Sequence, residues 1–144
     1  MIRIYTFTYA GDAQEAVACV RCARTALPEA VVTVVDDSAA PVPPEARRAL
    51  VAYGARYRRS SFPRCGNLRG PECVRGIIAT LAKGAEDGDT VVKIDSDTAL
   101  LSGGWVRDMQ HNGLALHASG YQVPRNPSER SAYGNCYALS GRAA

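Results

Sequence analysis

The chain is 144 residues long, which corresponds to one domain that can bury a real hydrophobic core. Hydrophobic residues make up 47% and charged residues 22%, as is ordinary for a globular protein. The formal net charge of +3 is too small to indicate a nucleic-acid partner, and no apolar run is long enough to span a bilayer. We therefore expect a globular domain with neither a nucleic-acid partner nor a transmembrane segment.

Five cysteines occur in a sequence that has no secretory h-region, which predicts free thiols and a cytoplasmic location. Two of them form the motif Cys19-x-x-Cys22, which lies within a predicted helix. No second cysteine pair or histidine pair stands at metal-binding spacing, so we do not interpret this motif as a zinc or redox site.

Strand and helix patterns alternate along the first 94 residues. Short apolar or β-branched runs predict strands, and apolar residues spaced by three or four predict helices. The predicted strands cover 2–9, 31–35, 56–60 and 90–94, and the predicted helices cover 12–28, 44–53 and 70–84. This βαβαβαβ order predicts a three-layer α/β/α sandwich with a mostly parallel sheet, formed by right-handed crossovers.

Two of these helices carry local signals. Asp12 and Glu15 have the spacing of a capping box, which predicts that the Asp12 side chain caps the first helix. The third helix has a predicted buried stripe at helical spacing. Its members are Val74, Ile77, Ile78 and Leu81.

The alternation breaks after Asp97. We predict a small strand at Ala99–Leu101, a helix at Gly104–Gln110, and strands at Leu114–Tyr121 and Tyr133–Leu139. The polar, proline-containing segment Gln122–Arg130 between these strands predicts a mobile surface loop. No repeat or linker divides the chain, so residues 1–144 are interpreted as a single domain.

An apolar strand at 91–94 ends in two carboxylates, Asp95 and Asp97. Residues two apart in an extended segment point the same way, so these side chains could face a common point. Two carboxylates about 5 Å apart repel by roughly 3 kcal/mol at an effective dielectric constant of about 20. The pair therefore needs a shared proton, a basic partner or a hard divalent cation.

A second acidic strand end, Asp36-Asp37, follows the strand at 31–35. Ligands of open α/β sheets bind beyond the carboxyl ends of the strands, where both acidic ends would lie. Six arginines against the single acid Glu72 between residues 56 and 75 would suit a phosphate-bearing ligand, although a solvated basic edge is an equal alternative. These arginines are Arg56, Arg58, Arg59, Arg64, Arg69 and Arg75.

In the order and spacing of its motifs, the chain resembles the nucleotide-sugar glycosyltransferases of the GT-A fold, of the family 2-like kind. The resemblance runs from residue 2 to about residue 142. The motifs are Thr6-Phe7-Thr8-Tyr9, Val35-Asp36-Asp37-Ser38, Asn67-x-x-Gly70 followed by Arg75, Ile94-Asp95-Ser96-Asp97, and the late strand Gly134-Asn135-Cys136-Tyr137-Ala138-Leu139-Ser140-x-Arg142.

The resemblance implies a hexosyltransferase-like enzyme that binds a nucleotide-diphosphate sugar. It implies Mn²⁺ or Mg²⁺ held by Asp95 and Asp97, and a saccharide, lipid or protein as acceptor. The residues implied to contact the donor nucleotide are Thr8, Tyr9, Asp36, Asp37, Asn67, Arg75 and Asp95.

The resemblance also implies an acidic general base, which in inverting members begins a helix beyond the strand equivalent to Tyr133–Leu139. This sequence ends at Ala144, and its later acids Asp108 and Glu129 lie in no matching motif. We therefore expect weak transfer from a truncated or inactive form of the domain, and we assign no catalytic residue.

Rival interpretations concern Mg²⁺-binding domains that act on phospho-aspartate. Val34-Val35-Asp36-Asp37-Ser38 is similar to the acidic pair of a receiver domain, and Asp95-x-Asp97 is similar to the nucleophile motif of haloacid-dehalogenase-like phosphatases. Ala99 interrupts the phosphatase pattern. A plain structural role also remains open, because aspartates after strands often cap turns.

Overall fold

The structure, a computed structural model, describes residues 1–62, 70–114, 116–123 and 126–141. Its strands are β1 (Ile2–Thr8), β2 (Val31–Asp36), β3 (Arg56–Arg59), β4 (Thr90–Asp95), β5 (Leu116–Val123) and β6 (Asn126–Ser140). Its helices are α1 (Ala13–Ala26), α2 (Pro44–Ala52), α3 (Gly70–Gly84) and α4 (Gly104–Asn112). None of the helices within these ranges has the length and apolar character that crossing a membrane requires.

The strands form one six-stranded sheet in the order β3-β2-β1-β4-β6-β5. β1 lies between β2 and β4 and runs parallel to both, and β3 extends the parallel part. β6 pairs antiparallel with β4 and with β5. The predicted mostly parallel sheet is thus confirmed. The receiver interpretation is wrong at the level of the fold, because that fold has the strand order 2-1-3-4-5.

Both faces of the sheet are covered, which confirms the predicted three layers. On one face, Ile4, Val34 and Ile94 contribute to the main core, which packs against α1, α2 and α4. On the other face, Phe7 and Val91 pack with Leu81 of α3. Because side chains alternate between the two faces of a strand, the central strands place apolar side chains on both faces of the sheet.

The stripe predicted for α3 is only half right. Leu81 is buried and Ile77 is partly buried against the sheet, whereas Val74 and Ile78 are 52% and 53% exposed. Residues 77 and 81 are one turn apart on one side of the helix, but residue 78 is rotated from residue 77 by about 100°. Since the sheet lies along a single side of α3, Ile78 is left at the surface. Val74 lies on the same side of the helix as Leu81, seven positions earlier, so this rotation does not explain its exposure.

Two predictions after Asp97 are wrong. Ala99–Leu101 forms no strand, although Leu100 is buried. The predicted loop Gln122–Arg130 is largely strand, because β5 continues to Val123 and β6 begins at Asn126. Pairing such as Gln122 with Arg130 satisfies the backbone in spite of the polar composition, which shows tertiary context overriding propensity. Residues 124 and 125 lie outside the described ranges.

The N-terminal edge of the sheet is held by the buried carboxylate of Asp89, which precedes β4. The carboxylate accepts from the Arg3 guanidinium at 2.5 Å, pairs with the terminal ammonium of Met1 at 3.0 Å, and accepts from the N–H of Glu86 at 3.0 Å. Burial by itself would raise the pKa of Asp89, but these cations and the N–H outweigh it and lower the pKa to about 2.

We expect Asp89→Asn to lower the free energy of unfolding at pH 7 by about 1 to 3 kcal/mol, the range for a charge-assisted hydrogen bond. The pKa of Asp89 is depressed below its ordinary value of 3.8, so its contribution is complete above pH 4 and is lost as the pH falls towards 2. The difference between wild type and variant in urea titrations should therefore shrink in that window. Asp87→Asn, at an exposed neighbouring position, is the matched control, and an equal effect there would contradict the assignment.

Candidate functional site

The carboxyl ends of β1, β2 and β4 lie side by side at one edge of the sheet. In the parallel registers, Thr8 of β1 is opposite Asp36, and Phe7 is opposite Asp95. The two acidic strand ends therefore flank β1, one residue apart in register. This edge of an open α/β sheet is where ligands bind, and the convergence of the two acidic strand ends on one ligand stays a prediction.

The turn after β4 exposes two carboxylates. The N–H of Thr98 donates to the carbonyl of Asp95 at 3.0 Å and closes the turn around Ser96, which is buried. The Asp95 side chain is 42% exposed and its Oδ1 accepts from the ammonium of Lys93, while Asp97 lies on the surface. Asp95 and Asp97 thus form the open, anionic part of the site.

Asp12 connects this turn to the end of β1. Its Oδ1 accepts from the hydroxyl of Thr8 at 2.6 Å and from the N–H of Tyr9 at 2.8 Å, and its Oδ2 accepts from the hydroxyl of Ser96. The prediction that Asp12 caps α1 is wrong, since its side chain makes no capping bond there. The carboxylate instead ties two strand ends together.

Asp36 is enclosed by donors and has no exposed surface. Its carboxylate accepts from the N–H of Ser38 at 3.0 Å, the N–H of Val42 at 2.9 Å, and the hydroxyls of Ser38 and Tyr57. The Arg59 guanidinium adds an ion pair at 3.3 Å. The structure therefore shows Asp36 holding the loop from Ser38 to Val42, and its direct contact with a nucleotide stays a prediction.

The pKa values at Asp36 reflect these donors. Burial would raise the pKa of Asp36, but the hydrogen bonds from Ser38, Tyr57 and Val42 outweigh it and hold the pKa below its ordinary value. Burial and the hydrogen bond to the Asp36 carboxylate raise the pKa of Tyr57 to about 12. Asp36 is therefore a fixed negative charge and Tyr57 a neutral donor throughout the physiological range.

A pocket of about 380 Å³ opens beside this loop. It is lined by Asp37, Ser38, Ala39, Arg59, Ser60, Ser61 and Phe62. Asp37 is nearly buried, and its N–H donates to the carbonyl of Thr8 at 2.9 Å. Tyr9, which follows Thr8, is 37% exposed at the same end of β1. The pocket offers polar groups and an aromatic side chain at the end of β2.

The arginines predicted to contact phosphate differ in their surroundings. The Arg59 guanidinium makes intramolecular contacts, since it pairs with Asp36 and donates to the carbonyl of Ser38. Arg58 lies over the ring of Tyr5 with its Cζ 5.8 Å from the centroid, and Arg75 is exposed on α3. Asn67 and two of the arginines predicted as phosphate contacts, Arg64 and Arg69, lie outside the described residues.

The donor set of the site suits a hard divalent cation that is shared with a ligand. Among the described residues, no cluster of three or more His, Cys, Asp or Glu side chains could enclose a metal ion. Asp95 and Asp97 supply carboxylate oxygens on an open turn. Mg²⁺ is typically bound in this way, by one or two carboxylates with substrate phosphates and waters completing the shell.

The sequence matches no protein-family model and no curated protein. Solved structures do match the fold. The galactosyltransferase LgtC, in complex with donor and acceptor sugar analogues, aligns with a TM-score of 0.66 at 17% identity over 98% of this chain. A mannosyltransferase from Pyrobaculum calidifontis, in complex with GDP-Man and Mn²⁺, aligns with a TM-score of 0.57 at 13% identity over 96% of it.

A putative nucleotide-diphospho-sugar transferase from Desulfovibrio desulfuricans G20 also aligns, with a TM-score of 0.57 at 12% identity over 99% of this chain. The chain has the GT-A fold. It spans 58%, 44% and 64% of the LgtC, mannosyltransferase and Desulfovibrio chains, respectively. At these identities the GT-A likeness concerns the fold, and it agrees with the resemblance noted from the motifs.

Sequence reasoning missed two residues of the site. Lys93 interrupts the apolar run of β4 two positions before Asp95, which places both side chains on one face of the strand. That spacing could have identified it as the partner of Asp95. Asp12 gave no such signal, because its helix-capping pattern is the same whether or not its carboxylate turns towards β4.

We expect Asp12→Ala to destabilise the protein by about 1 to 3 kcal/mol, because the donors of Thr8, Tyr9 and Ser96 lose their acceptor. The turn at Ser96 should become mobile at the same time. Urea unfolding and amide hydrogen exchange at residues 95–98 would measure both effects. Glu15→Ala, at an exposed position one turn along α1, should leave both unchanged, and a similar change in that control would contradict the link.

Proposed function

We propose that the chain binds a nucleotide-diphosphate sugar together with Mn²⁺ or Mg²⁺ and transfers the sugar to a saccharide, lipid or protein acceptor. The observation that carries this proposal is that β2 and β4 end in Asp36 and Asp95 on either side of β1, with Asp37 and Asp97 just beyond, at the carboxyl edge of a parallel sheet with the GT-A fold. The Pyrobaculum mannosyltransferase that shares the fold is in complex with GDP-Man and Mn²⁺, which supports a sugar nucleotide and a divalent metal as ligands.

The pocket beside Asp37 is the proposed place for the nucleoside. A volume of about 380 Å³ can take a base with part of its ribose, and the walls offer the Asp37 carboxylate, serine hydroxyls and the ring of Phe62. We propose that Thr8 and Tyr9 complete this subsite from the end of β1, with Arg75 contributing from α3. Asn67 lies outside the described residues, and its contact with the nucleotide is proposed from its motif alone. The Asp36 network would keep the pocket wall in place during binding.

The turn after β4 is the proposed place for the diphosphate. Asp97 and Asp95 would hold the divalent cation, and Asp95 would in addition reach the ribose. When bound, the cation neutralises negative charge on the leaving diphosphate. The bond between the anomeric carbon and the diphosphate oxygen would break with its electron pair staying on that oxygen, and the acceptor oxygen would bond to the anomeric carbon. The proton of the acceptor hydroxyl would pass to the leaving diphosphate or to water, since no catalytic base is assigned.

We expect Asp97→Ala to abolish metal-dependent nucleotide binding, because the exposed carboxylate at the tip of the turn is lost. Calorimetric titration of UDP and GDP, with and without Mn²⁺, measures the effect. The affinity in Mn²⁺ should fall at least tenfold, to the level seen without metal. Asp108→Ala removes an exposed carboxylate from α4 and serves as the matched control, for which binding should be unchanged.

Two results would contradict the proposal. The first is wild-type protein that binds no nucleoside diphosphate with or without Mn²⁺. The second is labelling of Asp95 by acetyl phosphate, which would instead favour phosphatase-like chemistry on phospho-aspartate. The binding experiment tests the proposal without depending on the acceptor.

A further inference from the structure

A lysine lies inside the apolar strand that leads to the acidic turn. Lys93 is 7% exposed, although lysine is almost never fully buried unless it is paired. The sequence contains only one other lysine, Lys83, which is exposed on α3. All the remaining basic side chains of the sequence are arginines, so a compact ammonium group stands at this one buried position.

The stem of Lys93 is packed between two neighbouring strands. In the sheet register it is opposite Tyr5 of β1 and opposite Tyr137 of β6. Its Nζ lies 5.9 Å from the centroid of the Tyr137 ring, within the range of a cation–π contact. The hydrogen bond from Nζ to Asp95, two residues further along, shows that the side chain runs along the strand towards the site.

The ammonium group of Lys93 lies next to the carboxylates that we propose as metal ligands. Nζ of Lys93 donates to Oδ1 of Asp95, whose side chain remains 42% exposed. Counting formal charges, Asp95 and Asp97 carry −2 and Lys93 carries +1, so these three side chains together have a net charge of −1. The number of ligand charges is a main determinant of divalent cation affinity in oxygen-ligand sites, and Lys93 removes one unit from that number.

We propose that Lys93 is a positioning residue that keeps the affinity of Asp95 and Asp97 for free divalent metal low, so that metal binds together with a nucleoside diphosphate. This inference rests on the proposed function. The ammonium of Lys93 offsets one negative charge of the aspartates, and a bound diphosphate supplies negative charge in its place. The same ammonium orients Asp95 before the ligand binds. The metal and the nucleotide would then bind with strong mutual enhancement.

The test is a Mn²⁺ titration followed by the electron paramagnetic resonance signal of free Mn²⁺, first without nucleotide and then with saturating UDP or GDP. Lys93→Met should bind free Mn²⁺ at least tenfold more tightly than wild type without nucleotide. The enhancement of Mn²⁺ affinity by the nucleotide should fall by a similar factor. Lys83→Met makes the same substitution at the exposed lysine and should change neither value more than twofold.

Unchanged affinity for free Mn²⁺ in a folded Lys93→Met protein would overturn the inference. If Lys93→Met fails to fold, Lys93→Gln removes the charge but keeps a donor for Asp95, and the same increase is expected. Wild type is itself informative, since Mn²⁺ binding that is equally tight with and without nucleotide would also overturn the inference. A wild-type protein that binds no nucleotide at all refutes the proposed function instead, and the arm without nucleotide still reports on Lys93.

Discussion

The site depends on the parallel pairing of β1 with β2 on one side and with β4 on the other. Arg3 is the one position of β1 that is not buried, so the strand can neither shift in register nor rotate without exposing apolar side chains. That register sets Asp36 and Asp95 on opposite sides of β1, one residue apart along the strand. The concentration of acids at one edge follows from the pairing of three apolar strands.

The carboxylates at this edge have different roles because their surroundings differ. The carboxylates of Asp36 and Asp12 accept hydrogen bonds from donors of the chain itself and hold neighbouring segments together. Asp97 is exposed, and Asp95 is shared between Lys93 and the surface. Because burial alone would favour the protonated form of Asp36, the hydrogen bonds to its carboxylate are what keep this buried charge beside the ligand site.

Much of the fold could be predicted from the sequence, because the central strands and α1 have strong periodicity and clear ends. The second half was harder, since the pairing of β5 with a 15-residue β6 involves polar residues that lack a strand pattern. For the site, the strand ends could be located from the sequence, but the direction of each side chain could not. Asp36 and Asp37 are adjacent in sequence, yet the Asp36 carboxylate is enclosed by donors and Asp37 lines a pocket.

The link between Asp12 and Ser96 has a kinetic consequence. The two residues are 84 positions apart in the chain, and they meet only after β1 and β4 have paired. Non-local contacts of this kind slow folding, because the loop between them must close before they form. The acidic turn therefore takes its final shape only after β1 and β4 have paired, and a chain in which these strands have not yet paired lacks the link that shapes the proposed metal site.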